Sequence, residues 1–79
     1  MQYSINHPQA DEISVIGGSA GQYGDDYHTV EIAFFKDGQW VIDPIEPFAD
    51  RIQVAGDTAI YPYVSKPLVD AFIAKHQTA

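Results

Sequence analysis

Apolar residues recur along this chain with two different periods. Glu12-Ile13-Ser14-Val15-Ile16 alternates, which puts Ile13 and Val15 on one face of a strand. Tyr27 to Phe35 is the densest strand signal, rich in β-branched and aromatic residues. Thr58 to Val64 reads as a further strand, with Pro62 marking an edge or the strand's end, because proline cannot donate to a ladder. Leu68, Val69, Phe72 and Ile73 instead recur at helical spacing. That stripe predicts a C-terminal helix with Ser65 as its N-cap and Pro67 in the first turn, where a missing N–H costs nothing. Lys75 and His76 close it, where cations suit the helix dipole. A helix this short is marginal alone and must dock on the sheet.

Between the strands, Asp37-Gly38 is the strongest hairpin signal, because a tight type I′ turn needs positive φ at both central residues. The turn sets a register: Lys36 opposite Gln39, Phe35 opposite Trp40, Phe34 opposite Val41 and Ala33 opposite Ile42. Alternation then gathers Val30, Ile32, Phe34 and Val41 on one face and Ala33, Phe35, Trp40 and Ile42 on the other. Both faces are apolar near the turn, which a sheet with one wet face does not favour. Packing of Phe35 and Trp40 beneath another part of the chain, such as Tyr3/Ile5 or Phe48, is the plain explanation; an exposed contact patch is the alternative.

The remaining segments are loops or ambiguous. Gly17 to Asp26 carries Gly17, Gly18, Gly21 and Gly24 and reads as a loop. Asp43-Pro44-Ile45-Glu46-Pro47 ends the second hairpin strand, and Pro47 is placed to begin a short helical turn through Phe48-Ala49-Asp50. Ile52 and Val54 stand at strand spacing, and Gly56-Asp57 is a second turn. The expectation is one α+β domain over residues 1–79: an antiparallel sheet of about four strands with one C-terminal helix packed on one face.

Composition makes this economical. A chain of 79 residues buries only about 60% of the surface its unfolded form exposes. It has no cysteine, so neither disulfides nor thiolate metal sites stabilise it; four Phe, five Tyr and one Trp supply large buried areas instead. No apolar run approaches the roughly 20 residues that span a bilayer, and no signal for secretion is visible. A cytoplasmic setting is the default expectation.

Charge adds more. Eleven carboxylates face four basic residues, for a net charge of −7, and residues 1–35 hold Asp11, Glu12, Asp25, Asp26 and Glu31 with no Lys or Arg. Direct binding to nucleic acid or to anionic membranes is disfavoured, since both need a cationic surface. Net charge of this size also serves solubility alone.

Several motifs suggest chemistry, and each has a plainer explanation. Gly17-Gly18-Ser19-Ala20-Gly21 matches the G-x-S-x-G nucleophile elbow and follows a strand, with His76 in the right order to serve as base. An elbow must feed a helix, and Gln22-Tyr23-Gly24-Asp25-Asp26 is a poor one. The same stretch has Ile16 where a dinucleotide-binding turn needs its first glycine. Asp25, Asp26 and His28 lack the regular oxygen offsets of a calcium loop. Zinc would need further ligands, and His7 and His76 are distant in sequence. No cofactor, metal or catalytic residue is expected.

The expectation is a non-enzymatic protein that docks on a basic, nucleic-acid-binding surface of a larger partner, as a mimic of nucleic acid. Alternate residues on a strand stand about 6.6–6.8 Å apart, a spacing at which carboxylates can occupy a phosphate groove. Asp25, Asp26, Glu31, Phe35, Trp40 and Ile42 are the expected partner-binding residues. Small size, acidity and absence of catalytic machinery are similar in gross character to phage-encoded inhibitors of host defence, such as anti-CRISPR proteins, although no motif carries that likeness. The alternatives are a structural or assembly protein that homodimerises through the Phe35/Trp40/Ile42 face and, remotely, a small serine hydrolase using Ser19.

Overall fold

A computed structural model describes residues 1–17 and 29–78. The described residues form six strands and one helix: β1 (Gln2–Ser4), β2 (Glu12–Gly17), β3 (Thr29–Lys36), β4 (Gln39–Trp40), β5 (Gln53–Ala55), β6 (Thr58–Ser65) and α1 (Lys66–His76), with a 3-10 turn at Ala49–Arg51. All the pairings are antiparallel, in the order β1-β2-β3-β6-β5, and β4 pairs with β3 as well. The architecture is α+β, as expected, but the strands number six rather than about four. β1 and β5 account for the excess: each is three residues long with little burial, too short to show alternation.

The hairpin forms in the expected register, with Phe35 opposite Trp40 and Lys36 opposite Gln39. Asp37 at φ 52° and Gly38 at φ 78° are the two positive dihedrals of a type I′ turn. Asp11 secures the tip, its carboxylate accepting from the Asp37 N–H at 3.0 Å and its own N–H donating to the Phe35 carbonyl at 2.9 Å. The ladder is shorter than expected. The Val41 N–H still reaches the Phe34 carbonyl at 2.9 Å, but Ala33 and Ile42 do not pair. The reason is competition for one edge, because β6 takes the same side of β3 from Ile32 downwards.

β6 is not interrupted at Pro62, contrary to expectation. The strand runs on to Ser65, with Val30 opposite Val64 and Ile32 opposite Tyr61, so three steps on β6 match two on β3. Such a bulge absorbs proline's missing N–H, and Tyr63 beside it takes φ 54°. The β5–β6 turn places Gly56 at φ 60°, and the Thr58 hydroxyl donates to the Ala55 carbonyl at 2.9 Å.

One face of the sheet carries the core. Ile13, Val30, Ile32, Phe34, Tyr61 and Val64 pack against Val69, Phe72 and Ile73 of α1 and against Ile45 and Phe48 from the β4–β5 connection. Phe34 is central: its ring meets Tyr61 at 5.4 Å, Phe72 at 5.6 Å and Phe48 at 6.2 Å between centroids. The buried Tyr61 hydroxyl accepts from the Ile45 N–H at 3.1 Å, which pins the connection over the core. Burial raises the Tyr61 pKa, the Ile45 N–H opposes that shift, and Asp43 adds to it. α1 has the expected start at Ser65, but the serine side chain makes no capping hydrogen bond and Leu68 lies outside the buried stripe. No helix among the described residues is long and apolar enough to cross a membrane.

Candidate functional site

On the second face of the sheet no described element packs, although Ala33 is itself buried there. Strand parity puts Glu12, Ser14 and Ile16 of β2 there, with Glu31, Ala33 and Phe35 of β3. Across the strands, Ser4, Glu12, Phe35 and Trp40 stand in one row, each directly opposite the next. Phe35 is half-buried, its ring 4.7 Å from the Trp40 ring, while Trp40 is 39% and Ile42 45% exposed. None of the three residues named as examples of a cover lies over this aromatic pair. Tyr3, Ile5 and Phe48 all belong to the core on the helix side and cannot cover it.

Charge sorts between the faces. Glu12 and Glu31 flank the apolar row on the open face. None of the chain's four basic residues stands there: Lys36 has the parity of Phe34, Arg51 lies in the 3-10 turn, and Lys66 and Lys75 are on α1. At the open edge, β4 and β6 pair with β3 separately, and a cleft of about 540 Å³ opens between β4 and the β5–β6 turn, lined by Gly38, Gln39, Trp40, Ile42 and Asp57. Asp57 arrives from the β5–β6 turn.

Of the six residues expected at a partner surface, the structure gathers Glu31 and Phe35 on the open face, with Trp40 and Ile42 at its edge. Asp25 and Asp26 lie outside the described residues, as do Ser19 with its glycine neighbours after Gly17, and His28. Glu12 and Asp57 were missed. Alternation already excluded Glu12 from the face of Ile13 and Val15, whereas Asp57 is brought to Trp40 by the pairing of β6 with β3, which leaves no local trace.

A second concentration of chemistry lies at the far end of α1. His7 and His76, 69 positions apart, meet with ring centroids 5.0 Å apart, and both rings contact Phe72. Backbone pairing of residues 5–6 with residues 76–77 holds them there. His76 Nδ1 lies 3.3 Å from the Asn6 carbonyl, so it carries the proton. His7 Nδ1 accepts from the Gln9 N–H at 3.1 Å, so that nitrogen does not. Partial burial and the neighbouring His76 lower the His7 pKa. Neutral His7 consequently keeps its proton on Nε2 and offers no lone pair to a metal. No group of three or more His, Cys, Asp or Glu among the described residues is placed to hold a metal ion. The adjoining groove of about 410 Å³ mixes Glu46, Lys75 and His76 with Pro47, Leu68 and Phe72 and has no single charge character.

Comparison with protein-family models, with curated proteins and with solved structures finds no match for this chain.

Proposed function

We propose that this protein is a non-enzymatic binding protein whose open sheet face docks on a basic, nucleic-acid-binding surface of a larger protein, as inhibitors of the phage anti-defence type do. The observation that supports this reading is the row Glu12–Phe35–Trp40, on which no described element packs, with carboxylates beside exposed aromatic surface and every Lys and Arg elsewhere. Trp at the centre of a patch is a common anchor of protein interfaces, and a ring of like charge speeds and orients encounter with an oppositely charged partner. A homodimer through the same face is the competing reading. It would bring Glu12 and Glu31 towards their own copies around a two-fold axis, where like charges repel.

The test is capture of a partner from native host extract, followed by titration with the purified partner. Affinity is expected to fall steeply with salt, DNA or RNA to compete for the same surface, and Trp40→Ala to weaken binding at least about fivefold. Salt-insensitive binding that Glu12→Gln and Glu31→Gln leave unchanged would overturn the electrostatic reading. A stable dimer in sedimentation, lost in Trp40→Ala, would favour the homodimer.

A further inference from the structure

We infer that the cleft between β4 and the β5–β6 turn is a receptor for an arginine side chain of the partner. This rests on the reading above and names the group that its edge recognises. The cleft sets an indole and a carboxylate around one space: Trp40 and Ile42 on the β4 side and Asp57 on the β5–β6 turn, with Gly38 and Gln39 completing the lining. Phe35 packs against the Trp40 ring at 4.7 Å, fixing the indole while much of its surface stays open.

The chemistry selects the occupant. None of the described lining residues is cationic, so Asp57 meets no basic group among them. A guanidinium is planar, weakly hydrated and forked: it stacks on an indole and pairs with a carboxylate in two parallel hydrogen bonds. Its methylene stem suits Ile42. Lysine satisfies only part of this, because its ammonium is a compact, strongly hydrated point charge. The backbone assists. Phe34 and Val41 form a hydrogen-bonded pair, so Phe35 and Trp40 form the alternate pair, and the Trp40 N–H and C=O face away from β3 towards the free edge of β4. An arginine entering the cleft therefore meets polar backbone as well as side chains.

Trp40 is the chain's single tryptophan, so its emission reports this cleft directly. The probes are the capped peptide acetyl-Gly-Arg-Arg-Gly-amide and its lysine and citrulline counterparts, titrated into the full chain and followed by Trp40 fluorescence and by NMR shifts. The arginine peptide is expected to bind about fivefold more tightly than the lysine peptide, with the citrulline peptide weaker still. Asp57→Asn, at an exposed turn position, and Trp40→Ala are each expected to reduce arginine binding about fivefold or more and to erase the preference over lysine. NMR reads the Trp40→Ala variant, and thermal melting checks its fold.

Equal, salt-sensitive binding of arginine and lysine peptides that neither variant alters would overturn the arginine receptor and leave the acidic docking face standing. Absence of binding by all cationic peptides, together with a partner whose binding ignores salt, would overturn both. Self-association abolished by Arg51→Lys would put a second copy's arginine in the cleft and overturn the partner as its source.

Discussion

Phe34 and Phe35 are neighbours of the same residue type on the same strand, yet they belong to different environments. Phe34 is fully buried among three other rings; Phe35 is half-exposed on a face that nothing in the described chain covers. The covered face has a helix and a connecting loop across it, and the open face has carboxylates and no cation. The difference is one of parity rather than composition. A strand places equal apolar content on both sides, and the rest of a small chain suffices to cover only one.

The largest test of this contrast is the pair Phe34→Ala and Phe35→Ala. Loss of the Phe34 ring is expected to cost about 3–5 kcal/mol, a large share of the stability of so small a domain, whereas Phe35→Ala is expected to cost about 1 kcal/mol or less. Urea unfolding followed by circular dichroism measures both; similar losses would mean that Phe35 is core after all. An intermediate effect is expected from Tyr61→Phe. It leaves the Ile45 N–H buried without its acceptor, at about 1–3 kcal/mol, with the slope of the urea transition unchanged. A neutral substitution there would show that the connection, unlike α1, is not part of the covering layer.

The smallest effect is expected from pH. The His7 pKa is lowered in the folded state, so the folded chain binds a proton less readily than the unfolded one. Its contribution is fully present above the unfolded value near 6.5 and is lost as pH falls through the lower folded value. Melting temperatures between pH 7.5 and 5 are expected to decline, and His7→Gln to flatten part of that decline. The cation would also meet His76 and, at Nδ1, the Gln9 N–H, two donors facing each other. A profile identical in His7→Gln would assign the decline to other groups.

Legibility in the sequence followed the range of the interactions. The β3–β4 register and the limits of α1 were readable because Asp37-Gly38 and Ser65-Lys66-Pro67 act within a few residues. β1 and β5 were not, since three residues carry no usable period. The division of one edge of β3 between β4 and β6 depends on a pairing some thirty residues away, and with it went the cleft and Asp57. At the open face, alternation already separated Phe35 and Trp40 from the core residues; which of the two faces the helix would choose was not encoded locally.

The bulge at Pro62 and Tyr63 has a consequence for how the chain is routed. Tyr61 and Val64 are three positions apart, an odd number, and in an unbroken strand they would point to opposite sides. Both are buried on the same side. The extra residue works as a phase shift inside β6: it lets Ala59 and Tyr61 face the core before it, and Val64 after it. Without that half-period correction, Val64 would turn out of the core and Ser65 would turn into it. A single inserted step in β6 thus keeps apolar residues from both halves of the strand in one core.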